Sequence, residues 1–101
     1  MTEREKEILS RVKELLISFY DPQRFILFGS RGKDISEVNS DFDFAIEKAN
    51  NIDSIKQSAL LENIEEVAGL YKVDLVLLEN VHPEFRDIIL ETGKIIYENG
   101  I

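Results

Sequence analysis

Two short segments carry the residues best suited to chemistry. Phe28-Gly29-Ser30-Arg31-Gly32 closes an apolar run with a small-residue turn, and Ser40-Asp41-Phe42-Asp43-Phe44-Ala45-Ile46 follows ten residues later. Side chains along a strand alternate between its faces, so Asp41 and Asp43 share one side while Phe42, Phe44 and Ile46 take the other. Carboxylates two residues apart start roughly 6 to 7 Å from one another along the backbone. At that spacing they can converge on a divalent cation. The Gly-Ser turn offers backbone N–H groups and a hydroxyl to a phosphate. These parts point to metal-assisted chemistry on a nucleotide.

A third acid completes the set. Asp74 interrupts the apolar run Lys72-Val73-Asp74-Leu75-Val76-Leu77-Leu78-Glu79, with Val73, Leu75 and Leu77 on one face and Val76 and Leu78 sharing its own. A carboxylate in a buried strand is costly unless it is paired or bound to metal. With this strand beside 41–47, three carboxylates would gather. Oxygen donors of this kind suit Mg²⁺ or Mn²⁺. Two such ions, roughly 3.5 to 4 Å apart, stabilise the attacking and leaving oxygens of a phosphoryl displacement.

The elements that must position these residues are legible from periodicity. Residues 3–19 read as an amphipathic helix through Ile8, Val12, Leu15, Leu16 and Phe19, ended by Asp21-Pro22. Phe25-Ile26-Leu27-Phe28 reads as a buried strand, residues 30–40 as a polar connection, and 41–47 as a second strand. Asp53 or Ser54 can cap a helix running to Ala68, with Ile55, Ala59, Leu60, Ile64 and Val67 on its apolar face and Gly69 after it. A third strand over 72–79, a short helix opened by Pro83 and a final strand over 94–98 complete the chain. This order predicts a single α+β domain over residues 1–101: a mixed sheet with helices packed on one face. The first two strands, with no long crossover between them, should pair antiparallel.

Composition narrows the function. The chain has 101 residues, 44% of them hydrophobic and 32% charged, which describes an ordinary globular domain. No apolar run approaches the ~20 residues of a membrane span, and the N-terminal residues lack the apolar stretch of a secretory signal. With no cysteine, disulfides and thiolate metal sites are excluded, and a cytoplasmic location is expected. A net charge of −8 argues against direct binding of nucleic acid, which relies on Lys and Arg contacts to phosphates. An acidic protein can still hold a nucleotide when metal ions lie between them.

The three motifs, in this order, resemble the nucleotidyltransferases of the DNA polymerase β-like superfamily, above all the minimal nucleotidyltransferases (MNT). The family pattern is Gly-Ser at a strand end, Ser-Asp-x-Asp-hydrophobic about ten residues on, and a third Asp on a later strand. Here these read Gly29-Ser30-Arg31, Ser40-Asp41-Phe42-Asp43-Phe44 and Val73-Asp74-Leu75-Val76. The closing stretch Glu91-Thr92-Gly93-Lys94-Ile95-Ile96-Tyr97-Glu98 also resembles the family's C-terminal segment. One departure stands out. The family commonly has a second Arg and then Gly after Gly-Ser-Arg, whereas this chain has Lys33-Asp34, with its glycine earlier at Gly32.

The resemblance implies a polymerase β-like core in which Gly29, Ser30, Arg31 and Ser40 bind the nucleotide and Asp41, Asp43 and Asp74 are catalytic and hold metal. The implied cofactor is Mg²⁺, as two ions, with Mn²⁺ as an alternative, and the substrate is ATP. The implied reaction leaves AMP on a hydroxyl of a partner protein, most simply a HEPN-domain toxin neutralised by this chain as its antitoxin in a hetero-oligomer. Two other readings stay open: an antitoxin that acts by occlusion without catalysis, and the transfer subunit of an enzyme acting on a small molecule. Since the nucleotide-binding core uses the chain's length, the acceptor is expected on another molecule.

Taken singly, each motif has an ordinary reading. Gly29-Ser30 could be any strand-ending turn, Asp41 a turn cap, and Asp74 a strand residue bonded to nearby backbone. His82, before Pro83, reads as an exposed turn residue, and the phenylalanines read as core. The ordered set of three motifs carries the functional expectation.

Overall fold

The structure is a computed structural model that describes residues 1–29 and 41–99. Helix α1 (Glu3–Tyr20) begins with a reciprocal cap: the Glu5 N–H donates to Thr2 Oγ1 at 3.1 Å, and the Thr2 N–H donates to Glu5 Oε1 at 2.8 Å. Ile8, Val12, Leu16 and Tyr20, four residues apart, form its buried stripe. Asp21 ends the helix in the left-handed region (φ 44°), its N–H donating to Ile17 O. That cap turns the chain sharply into strand β1 (Arg24–Phe28).

Strand β2 (Phe42–Glu47) runs antiparallel to β1, as expected, with Phe28 opposite Asp43 and Arg24 opposite Glu47. Arg24 Nε donates to Glu47 Oε1 at 2.8 Å and fixes the far end of this pair. Helix α2 (Ser54–Ala68), capped by the Asp53 carboxylate accepting from Lys56 N–H at 2.8 Å, is the crossover that allows strand β3 (Val73–Leu77) to lie parallel to β2. Gly69, at φ 62°, turns the chain out of α2. Helix α3 (Pro83–Thr92) and strand β4 (Lys94–Glu98) follow, and β4 pairs antiparallel with β1. The sheet order is β3-β2-β1-β4.

Alternation divides the sheet's faces. Phe25, Leu27, Phe42, Phe44 and Ile46 face α1 and α2 and join Ile8, Leu16, Leu60 and Ile64 in the main core. Phe42 and Phe44 stack with ring centroids 6.3 Å apart, and Phe25 stacks on Tyr97 at 5.1 Å. Arg4 Nη2 donates to Val67 O at 2.8 Å and ties the start of α1 to the end of α2. The two longer helices thus pack together on one face, as the mixed-sheet expectation requires. The short α3 adds a smaller layer on the opposite face, where Ile89 packs with Ile26, Ala45 and Leu78.

Three local expectations need correction. Ile55 is 80% exposed rather than on the apolar face of α2. At about 100° per residue it lies about 140° from Leu60, off the stripe that Leu60, Ile64, Val67 and Ala68 make. The third strand stops at Leu77 instead of 79. Leu78 turns inward in a 3₁₀ turn (Leu78–Asn80) to reach the smaller core, while the Glu79 carboxylate accepts a hydrogen bond from the Lys48 N–H. Finally, β3 is an edge strand rather than a buried one, and each of its residues is only partly covered. The polar connection over 30–40 lies outside the described residues. Among the described residues, no helix is long and apolar enough to cross a membrane.

Gly93, between α3 and β4, shows how closely this layer approaches the sheet. A Cβ there would lie 2.4 Å from Ile26 Cγ2 and 2.6 Å from the Ile89 carbonyl oxygen. Gly93→Ala is therefore expected to destabilise the protein by about 1–3 kcal/mol. A urea melt reads this as a lower midpoint at unchanged slope; an unshifted midpoint would contradict the close packing.

Candidate active site

The site forms where three strands begin or end on one side of the sheet. β1 runs antiparallel to β2 and β2 parallel to β3, so the end of β1 meets the starts of both other strands. Phe28 lies opposite Asp43, and Asp43 lies opposite Asp74. Both aspartates occupy the sheet face away from α1 and α2, because their neighbours Phe42, Phe44, Val73 and Leu75 belong to the main core. The parallel register makes Asp43 and Asp74 direct neighbours.

Gly29 follows Phe28 with φ 70°, a left-handed conformation that favours glycine. A Cβ at this position would stand 2.7 Å from Asp43 Oδ2. The missing Cβ thus makes room for the Asp43 carboxylate, which packs directly against the glycine.

Electrostatics marks Asp43 as the central group. Its carboxyl is held above the usual carboxylate range, first by burial, then by the charges of Asp74 and Asp41 and by a side-chain hydrogen bond with Asp74. Lys72 opposes this with its positive charge. Asp74 is half-exposed on the edge strand, and Lys72 Nζ lies 3.8 Å from its Oδ2. Asp41 is exposed just before β2 and acts on Asp43 through charge. Among the described residues, no three His, Asp or Glu side chains make up one metal-holding group; Asp43 and Asp74 are the pair in mutual contact.

The donor chemistry nevertheless fits a hard divalent cation. The groups are carboxylate oxygens, they repel one another, and both keep part of their surface exposed. Ser30, Arg31 and Ser40, expected to contact the nucleotide, lie outside the described residues, as do Gly32, Lys33 and Asp34. His82 is exposed and caps α3, its Nδ1 accepting from Glu84 N–H at 3.2 Å. From the sequence, Lys72 reads only as the start of a strand. The two-residue alternation that placed Asp41 with Asp43 also places Lys72 with Asp74.

The chain belongs to the polymerase β nucleotidyltransferase family, whose model matches residues 10–100. Solved structures extend the comparison. A chain of a toxin–antitoxin complex with AMP-PNP is 25% identical and has a TM-score of 0.72; the match covers 89% of this chain and 73% of that one. A chain of the complex between tri-AMPylated Shewanella oneidensis HEPN toxin and MNT antitoxin is 22% identical, with a TM-score of 0.67 and coverage of 95% and 73%. A protein provisionally assigned as a minimal nucleotidyltransferase is 20% identical over 95% of this chain and 96% of its own, also with a TM-score of 0.67. No curated protein sequence matches the chain significantly. The polymerase β-like α+β fold expected from the three motifs is the fold found.

Asp43 supplies a test of the site's electrostatics. An aspartate with a raised native pKa stabilises the fold below its unfolded pKa and withdraws that stabilisation as pH rises through the raised value. In the presence of chelator, Asp43→Asn should therefore be more stable than wild type at pH 7. Its advantage should shrink as pH falls toward the ordinary Asp range, about 4. Urea melts across this interval check the sign; an advantage that grows on acidification would contradict the raised carboxyl.

Proposed function

We propose that this chain is a metal-dependent nucleotidyltransferase that moves AMP from ATP to a hydroxyl of a partner protein, and that the partner is a HEPN-domain toxin for which it serves as antitoxin. The observation that carries the reading is the Asp43–Asp74 pair, set side by side by a parallel ladder, with the Asp43 carboxylate packed against Gly29. Membership of the nucleotidyltransferase family supports the reaction class. Similarity to a toxin–antitoxin complex with AMP-PNP and to a tri-AMPylated HEPN toxin with its MNT antitoxin supports the nucleotide and the partner.

In this reading the chain's residues divide the work. The turn at Gly29 lets the triphosphate approach the backbone closely, with Ser30, Arg31 and Ser40 as further nucleotide contacts. Asp41, Asp43 and Asp74 would hold Mg²⁺ (or Mn²⁺), which when bound supplies charge neutralisation at the α-phosphate and leaving pyrophosphate. Asp74, on the open edge strand, orients the incoming hydroxyl and can accept its proton. The hydroxyl oxygen bonds to the α-phosphorus, the bond to the β-phosphate oxygen breaks, and pyrophosphate leaves. The half-exposed edge strand leaves room for an acceptor brought by a second protein.

Incubation with α-labelled ATP, Mg²⁺ and a co-encoded HEPN protein tests the proposal. Label should appear on the HEPN protein and its ribonuclease activity should fall. Asp41→Asn with Asp43→Asn should lower labelling by on the order of 100-fold or more while the variant stays folded. Full labelling by that variant would remove these aspartates from the mechanism. Protection of the partner with no label would point instead to neutralisation by occlusion.

A further inference from the structure

Lys72 stands against the acidic pair yet has no part in the reaction described so far. Its backbone is fixed, since its carbonyl accepts from the Phe42 N–H at 2.9 Å where β2 and β3 begin to pair. Its side chain is not fixed: it is 68% exposed and reaches along its own strand to Asp74 Oδ2 at 3.8 Å. Its charge is also felt at Asp43, so among the described residues it is the cation that acts on both members of the pair.

We propose that Lys72 is an exchangeable counter-cation of the aspartate pair, resting on Asp74 before a divalent ion arrives and passing to the phosphates of the nucleotide once the ion takes its place. This deepens the nucleotidyltransferase reading and depends on it. Three physical points carry it. An exposed ion pair at this distance is weak, so Lys72 yields readily to a competitor. A divalent ion on the same carboxylate has twice the charge and repels the ammonium. The four-carbon stem then lets the ammonium move several ångströms without any change in the backbone, far enough to pair with a phosphate of a bound nucleotide. Lys72 is thus a positioning residue that acts first through Asp74 and then on the nucleotide.

The proposal predicts effects of opposite sign from one substitution. Lys72→Met should bind Mn²⁺ alone about three- to tenfold more tightly than wild type, because a competing charge is gone. The same variant should bind AMP-PNP with Mg²⁺ about three- to tenfold more weakly. Lys72→Arg, which keeps the charge, should stay within about twofold of wild type in both measurements. Mn²⁺ binding is read by electron paramagnetic resonance and nucleotide binding by calorimetry, so neither depends on turnover. A merely structural role would shift both affinities in the same direction, and that result overturns the proposal, as does unchanged Mn²⁺ affinity in Lys72→Met. Asp43→Asn separates the two levels. If it loses Mn²⁺ while Lys72→Met leaves both affinities unchanged, only the role of Lys72 falls. If Mn²⁺ binding is indifferent to Asp43→Asn, the metal site falls, and the role of Lys72 with it.

Discussion

The register between β2 and β3 sets everything else at this site. Phe42 lies opposite Val73, Asp43 opposite Asp74 and Phe44 opposite Leu75. The two carboxylates would separate if charge alone decided. Two like charges 4 Å apart cost about 1 kcal/mol at the dielectric of water and about 4 at an effective value of 20. Against this stand Phe42, Phe44 and Ile46, fully buried on the opposite face, with Val73, Leu75 and Leu77 partly so. Full burial of such side chains is worth about 1.5–3 kcal/mol each. A slip of one residue would turn all the apolar residues of one strand toward the wrong face. The core therefore holds the acids together from behind.

Topology then decides what lies in front of them. The parallel pairing needs a crossover, and α2 supplies it on the core side, where α1 also packs. On the other face, α3 covers Ile26 and Ala45 through Ile89, while Phe85 of α3 meets Phe28 edge to face at 5.7 Å. The small layer therefore reaches as far as the end of β1. Asp43 and Asp74 keep part of their surface open, and Gly29, lacking a Cβ, makes room for the Asp43 carboxylate. The same compactness that seals Gly93 against Ile26 stops short of the carboxylates.

Much of this was legible from residue types alone. The spacing Ile8, Val12, Leu16 fixes α1, the Asp53 cap and Gly69 bracket α2, and the alternation around Asp43 and around Asp74 assigns their faces correctly. What could not be read depends on neighbours distant in the chain. Nothing within 72–79 shows that β3 lies at the sheet edge, because an apolar strand looks the same at an edge as at the centre. The break at Leu78 follows from a tertiary pocket beside Ile89 and from the Glu79 link to Lys48 N–H, neither of which is local. Ile55 could have been placed by counting degrees from Leu60; its hydrophobicity alone misled. For the site, the acids and Gly29 are placed, whereas Ser30, Arg31 and Ser40 lie outside the described residues.

Charge sets a condition on any anionic substrate. The chain carries −8 overall, and within the site Asp43 is already pushed toward its neutral form by Asp74 and Asp41. A nucleoside triphosphate approaching such a surface gains nothing from long-range attraction, and close to the pair it meets repulsion. Lys72 offsets only a fraction of this, because it is exposed and stands 3.8 Å from a single carboxylate. Binding of a nucleotide here must therefore bring cations with it. The same acids that would repel the substrate alone become its anchor when a divalent ion is shared between carboxylate and phosphate. Under the proposed function, metal and nucleotide would therefore bind as linked partners, each raising the affinity of the other by the same factor.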